Sequence, residues 1–245
     1  MLTRVHHVGL VVRRLEDGLA FWQDALGLHV SKQATVPDQG VKAALLPIGR
    51  SEIELLEPID PAGGVAKFLE RRGEGLHHVC FETPEVAAEL GRARDAGFPL
   101  IDQAPRAGLA GTICFLHPKG TKGVLVEFAT PPPGEAHHDT AGRGGLALAE
   151  VTARHQDVAG AAEVFAAKLG LERAADDAVR VGGVRLRFVA EPGASDGLVG
   201  LVIEAADLGA ARAALAAHGV GAGTDAVDLD PARCHGVPLR LQSRG

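Results

Sequence analysis

Arg72–Glu82, RGEGLHHVCFE, is the stretch on which the fold turns, because its His-His-Val core repeats an earlier one, Arg4–Leu10, RVHHVGL. Each copy is followed by a strand-like segment carrying a carboxylate: IELLEP, with Glu54, and VEFATP, with Glu127. His7 precedes Glu54 by 47 positions, and His78 precedes Glu127 by 49. Both glutamates stand four residues before a proline, Pro58 and Pro131, which pairs Glu127 with Glu54 in preference to Glu52 or Glu57. Alone, each of these side chains would read as a buried or solvated residue. Their recurrence in an internal repeat makes two imidazoles and two carboxylates read as a metal site. Such donors suit a borderline or hard divalent ion, and four of them around a six-coordinate ion leave two positions for a substrate. By strand parity His6 and His77 point away from that ion, to pack or meet solvent, while Glu52 shares the face of Glu54.

Outward from the repeat, the pattern gives four copies of one βαβββ plan. In the first, Val5–Val12 is a strand with Val8, Leu10 and Val12 on one face and His7 and Gly9 on the other. Leu15, Leu19, Trp22 and Leu26 form one helical stripe that Gly27 ends. His29–Val36, Val41–Ile48 and Ser51–Leu56 supply the remaining strands, and Pro61–Arg72 a connecting helix. In the second copy Leu76–Phe81 is the strand and Thr83 the expected N-cap. Its helix turns Val86, Leu90 and Ala93 inward, and Pro99–Asp102, Gly111–Leu116 and Gly123–Phe128 complete the set. A Pro/Gly-rich linker follows, in which His137 and His138 read as solvated. Beyond it Leu146–Arg154, Asp157–Leu169 and Val184–Val189, then Leu198–Glu204, Asp207–His218 and Val237–Gln242, repeat the plan weakly. The expected fold is therefore α+β, with four modules in two domains, 1–131 and 146–245, joined by 132–145. Aligning the helix-stop glycines puts Glu150, Phe188, Gly200 and Arg240 where the first half has His7, Glu54, His78 and Glu127. Those four cannot hold a metal, so the second domain reads as a degenerate copy.

The 245 residues, 46% apolar and 23% charged, are ordinary globular material. A net charge of −6 with no dense Lys/Arg block argues against nucleic-acid or membrane-surface partners. Cys80, Cys114 and Cys234 are odd in number and far apart, which speaks against a disulfide framework and fits a reducing cytoplasm. No run approaches the ~18 apolar residues of a membrane span, and no signal-like segment opens the sequence.

The stretches LTRVHHVGLVV, IELLEP, VAKFLERRGEGLHHVCFE and FLHPKGTKGVLVEF resemble the vicinal oxygen chelate (glyoxalase/bleomycin resistance/dioxygenase) superfamily and, within it, the methylmalonyl-CoA epimerases. The C-terminal half is similar to the superfamily only in plan. The resemblance implies paired modules forming open barrels around a divalent ion (Co, Mn, Ni, Zn or Mg), with His7, Glu54, His78 and Glu127 as ligands. Glu54 falls where relatives have Gln or Glu. It also implies a small-molecule acyl-CoA substrate whose thioester carbonyl and carboxylate chelate the ion, a Lewis acid for the enolate formed on loss of the α-proton. Glu127 is the base implied by that analogy. Inversion needs a second acid/base group on the opposite face. Some relatives place a Glu there, whereas QGVKAALLP has Ala43, and Lys42 faces the other way. Lys119 and Lys122 are candidates for contact with the anionic part of CoA. The expected function is thus a metal-dependent epimerase or isomerase of an acyl-CoA thioester such as methylmalonyl-CoA. The alternatives are a glyoxalase-type isomerase, a ring-cleaving dioxygenase, which a fourth ligand at Glu54 counts against, or a non-enzymatic binding protein. A monomer or homodimer is expected, the second half covering apolar surface as a partner subunit would.

Overall fold

The computed structural model describes residues 1–134, 145–220 and 226–245. The first half contains β1 (Arg4–Val11), α1 (Leu15–Leu19), β2 (Lys32–Val36), β3 (Val41–Ile48), β4 (Ser51–Pro58), α2 (Gly64–Arg72), β5 (Gly75–Glu82), α3 (Val86–Asp95), β6 (Arg106–Gly108), β7 (Gly111–Leu116) and β8 (Leu125–Thr130). The second contains β9 (Leu146–Arg154), α4 (Val158–Glu163), β10 (Glu172–Ala174), β11 (Ala178–Val181), β12 (Val184–Val189), β13 (Gly197–Ala205), α5 (Leu208–Ala217), β14 (Ala226–Leu229) and β15 (Leu239–Ser243). They form an eight-stranded sheet, β2-β3-β4-β1-β5-β8-β7-β6, and a seven-stranded one, β10-β11-β12-β9-β13-β15-β14. Each sheet is two modules joined through their first strands, β1 with β5 and β9 with β13. This is the α+β arrangement of paired βαβββ modules expected from the repeat. No helix among the described residues is long and apolar enough to cross a membrane.

The chain divides into two units. One comprises Met1–Val8, His78–Ala136 and Glu150–Val199, the other Gly9–His77, His137–Ala149 and Gly200–Gly245. In the first unit Phe81 on β5 is fully buried, its ring 6.5 Å from that of Phe165, which packs 5.2 Å from Phe188 on β12. An aromatic of the second module thus lies beside one of the third. In the other unit Phe21 packs edge-on to the buried Trp22 at 5.2 Å, and its ring lies 6.5 Å from His235. His235 Nδ1 is 3.2 Å from Glu74, whose other oxygen accepts from the Arg13 amide. Gly49, at φ +63 between β3 and β4, sits so close to Ala147 that a Cβ there would come within 2.9 Å of the alanine methyl.

Several sequence expectations need correction. The first helix is not uniform: after α1 the chain continues as a π-helical turn, Ala20–Ala25, and α4 is likewise followed by one, Val164–Lys168. Pro99–Asp102 is not a strand. The Asp102 carboxylate accepts from the Phe115 amide at 2.9 Å and from Arg106 Nε at 3.0 Å, so a side chain takes that amide while the Ile101 and Asp102 amides donate to the Phe115 carbonyl. Only a single bridge, Leu100 to Leu116, forms, and β6 pairs with β7 instead. The N-cap of α3 is Glu85, not Thr83, whose hydroxyl accepts from the Glu85 amide at 3.4 Å. Strands β10, β11 and β14 were not anticipated. The linker histidines, His137 and His138, lie outside the described residues.

The self-alignment of the two halves slips by one residue in one strand. In the first half the Val12 amide donates to the Leu56 carbonyl, and in the second the His155 amide donates to the Val189 carbonyl. Counting back from these bonds, Glu150 matches His7, but Glu54 is matched by Arg187, not Phe188. In the remaining strands Glu127 pairs with Cys80, and Arg240 pairs with Val202. Arg240 and Gly200 therefore stand at the Glu127 and His78 positions.

Candidate metal centre

The first unit brings three of the four expected ligands together. His7 on β1, His78 on β5 and Glu127 on β8 are 0%, 2% and 3% exposed. His7 Nε2 lies 3.0 Å from His78 Nε2 and 3.0 Å from Glu127 Oε2, and His78 Nε2 lies 3.1 Å from the same oxygen. The local sequence explains the convergence: β5 and β8 are parallel neighbours, and Cys80 pairs with Glu127, so His78 and Glu127 share one face. Phe115, directly across β7 from Glu127, closes one side with its ring 5.5 Å from that of His78.

Three donor atoms on a triangle with sides of 3.0–3.1 Å are poorly explained by hydrogen bonds. A neutral imidazole carries one N–H, and two imidazole lone pairs facing each other repel. Consistent with this, Glu127 Oε2 is buried without a properly directed hydrogen bond, despite the two nitrogens at contact distance. Ligands in adjacent positions of an octahedral ion with bonds of ~2.1 Å are separated by about 3.0 Å. The donor set and its spacing therefore fit a divalent cation. Burial pushes the Glu127 carboxyl up, but the imidazoles of His7 and then of His78, at contact distance, override it and hold the carboxyl well below the usual carboxylate range.

In the other unit Glu54 is buried on β4, 7% exposed, opposite Leu45 of β3. Its neighbours have other tasks. Glu52, on the same face, accepts from the Ser31 hydroxyl at 3.2 Å. Glu57, on the opposite face, accepts from the Leu15 amide at 2.7 Å and from Lys42 Nζ at 3.1 Å, tying down the start of α1. Ala43 is buried between Ala34 of β2 and Leu56 of β4. That part of the face is apolar.

Of the two residues that parity turns away from the ion, His6 packs against a ligand. It is buried, with Nδ1 2.9 Å from Nδ1 of His7. His77, in contrast, packs edge-on to Phe68 at 4.9 Å. Lys122 is bound to Asp157 at 3.0 Å, Lys119 is exposed, and His117 Nδ1 accepts from the Lys119 amide as part of the loop. Phe115 and Arg106, whose guanidinium lies 5.4 Å from the Phe115 ring centre, were missed. The alternation of Ile113 and Phe115 with buried Cys114 was the available signal.

Comparison with known proteins agrees with this picture. A family described as the Glyoxalase/Bleomycin resistance protein/Dioxygenase superfamily matches residues 6–115. The ethylmalonyl-CoA/methylmalonyl-CoA epimerase of Cereibacter sphaeroides is 35% identical over 131 residues, 52% of this chain and 98% of that protein. A Streptomyces coelicolor methylmalonyl-CoA epimerase variant, solved in complex with 2-nitronate-propionyl-CoA, is 36% identical with a TM-score of 0.52, covering 54% of this chain and 99% of that one. A 4-hydroxymandelate synthase variant from the same organism covers 100% of this chain and 94% of its own at a TM-score of 0.75. At 16% identity that likeness is one of fold alone. Two paired-module sheets, a buried His/His/Glu cluster and near-complete coverage of a one-third-identical relative together make the chain a member of the glyoxalase/bleomycin resistance/dioxygenase, or vicinal oxygen chelate, superfamily.

Proposed function

We propose that this chain is a metal-dependent epimerase of an acyl-CoA thioester, methylmalonyl-CoA being the leading substrate, with His7, Glu54, His78 and Glu127 holding its divalent ion. The triangle of His7, His78 and Glu127 donor atoms, with sides of 3.0–3.1 Å, is the observation that carries the reading. Glu54 joins it as the counterpart of Glu127 in the internal repeat, each four residues before a proline. Relatives named as epimerases match about half of the chain. A divalent ion held here would supply Lewis acidity to the oxygens flanking the α-carbon of a malonyl-type thioester. Glu127, kept ionised by its histidines, takes the α-proton. The half-buried Phe115 ring opposite Glu127 and the buried Ile113 on the same face of β7 limit water around that carboxylate. In this reading residues 1–131 carry the chemistry, and residues 146–245, reached through 132–145, form a degenerate copy that covers apolar surface.

One observation favours a second reading. Inversion needs proton delivery to the face opposite Glu127, and the surroundings of Ala43 are Ala34 and Leu56, neither of which carries a proton. A single base returns the proton to the face it left, giving exchange without inversion. Metal-loaded protein incubated with one epimer of methylmalonyl-CoA in deuterated water separates the two, with α-proton exchange and configuration followed independently. Exchange with inversion is expected. Exchange with retention would select the one-base reading, and absence of exchange with a panel of malonyl-type thioesters would sink both.

A further inference from the structure

We propose that His6 is a positioning residue: it holds His7 in the tautomer protonated at Nδ1, so that His7 Nε2 is left with a lone pair for a divalent cation. The inference rests on the metal-centre reading above and concerns a residue that the reading does not use. His6 and His7 are consecutive on β1, both buried, with perpendicular rings 5.1 Å apart and Nδ1 atoms separated by 2.9 Å. The two nitrogens of His7 thus have different neighbours. Nε2 meets His78 and Glu127, and Nδ1 meets His6.

A neutral imidazole has one proton to place, and the bond made by one ring nitrogen decides the state of the other. Two Nδ1 atoms at 2.9 Å must share one proton, since two lone pairs or two N–H groups would repel at that distance. If His7 donates from Nδ1, His6 accepts there and carries its own proton on Nε2, and His7 Nε2 is free to bind a cation. If His6 donated instead, His7 would carry its proton on Nε2 and aim it into the triangle, where a cation could not sit. The ion therefore selects the first arrangement, and the first arrangement prepares the site for the ion. Partners that fix a ligand's tautomer commonly contribute about 10- to 100-fold to metal affinity.

The repeat contains its own control. His77 precedes His78 as His6 precedes His7, yet its ring packs on Phe68. The same dipeptide has one positioning histidine and one packing histidine.

The test uses full-length protein and Co(II), with affinity from chelator competition, stoichiometry from titration, and imidazole tautomers from long-range nitrogen–proton NMR of the metal-free chain. His6→Phe keeps a ring but no acceptor, and His6→Asn restores an acceptor oxygen close to the place of Nδ1. The expected results are one ion per chain, an affinity about 10- to 100-fold weaker in His6→Phe, recovery of most of that loss in His6→Asn, and less than a twofold change in His77→Ala. Wild-type His7 should show the Nδ1–H form without metal and lose that preference in His6→Phe. Equal affinity in His6→Phe and wild type would overturn the role. So would an Asn variant as weak as Phe, which would mean packing alone. Two ions per chain, one lost with His6, would make His6 a ligand and also overturn it. If wild-type protein binds no Co(II) while His7 shows the Nδ1–H form, the metal-centre reading fails separately.

Discussion

The same positions in the two sheets solve one electrostatic problem in opposite ways. In the first sheet His7, His78 and Glu127 crowd within 3.0–3.1 Å around a space that a cation fits. In the second, Glu150 stands at the His7 position and Arg187 at the Glu54 position, and Arg187 Nε donates to Glu150 at 2.7 Å. Arg185 adds a second guanidinium at 3.5 Å. A carboxylate on this scaffold thus meets positive charge in both sheets. In one the neighbours are two imidazoles spaced as a cation's ligands would be, and in the other arginine side chains supply the charge directly. The lesson is that where the second sheet has Glu150 and Gly200 in place of the two histidines, the face is not simply apolar. The ladder kept its polar face and neutralised it internally, which costs less than leaving a partly buried charge unpaired.

The largest expected effect comes from breaking the first arrangement. Glu127→Gln and, separately, His78→Ala should abolish turnover and bound metal, measured as kcat and metal content of dialysed protein. Substantial activity in either would mean the ligand set is misassigned. Chelation comes next. At a hundred- to thousandfold excess of ion over Kd, binding stabilises by about 3–4 kcal/mol. EDTA should therefore lower the Tm of the wild type but leave that of Glu127→Gln unchanged. An EDTA-insensitive wild type would remove the contrast between the two sheets. In the second sheet Glu150→Gln should lower Tm by only about 2–4 °C, because half-exposed guanidiniums make a partly screened pair worth roughly 1 kcal/mol. It should leave metal content alone, and a loss of metal would mean the halves are coupled.

The smallest effect is at Glu57. Burial raises its pKa, but the Leu15 amide and Lys42 more than offset this, so the folded value lies below the ordinary 4.5. A depressed carboxylate contributes stability that is present above its unfolded pKa and lost as pH falls through the folded one. Glu57→Gln should therefore flatten the acid limb of a stability–pH curve below about pH 4.5, lower stability slightly at neutral pH where the carboxylate's contribution is fully present, and leave the slope there unchanged. A steeper acid limb in the variant would refute the assignment.

Much of this was legible in the sequence because repetition is a stronger signal than any single residue. His7, His78 and Glu127 were marked by the paired motifs, and the structure converges them. The degenerate half was harder. Its Glu-Pro pair suggested aligning Phe188 with Glu54, but relative to the hydrogen-bonded ladder Pro192 comes one residue later than Pro58, so the match aligned a turn instead of a strand. A one-residue slip moves a side chain to the other face, which is why Phe188 lies in the core and Arg187 on the polar side. Strand parity likewise gives the direction of a Cβ but not the reach of a ring, and so missed the contact of His6 with His7. Pro99–Asp102 read as a strand because a side chain's claim on a sheet edge leaves no trace in hydrophobic period.

The π turns carry a historical consequence. They occur in the first and third modules, each ending two residues before a left-handed glycine, Gly27 and Gly170, while the corresponding helices of the second and fourth modules, α3 and α5, are regular and ten residues long. An extra residue wound into a helix is awkward to gain twice at one place. Its distribution is the one expected if an ancestral single module first doubled, one twin then acquired the insertion, and the pair was afterwards copied whole.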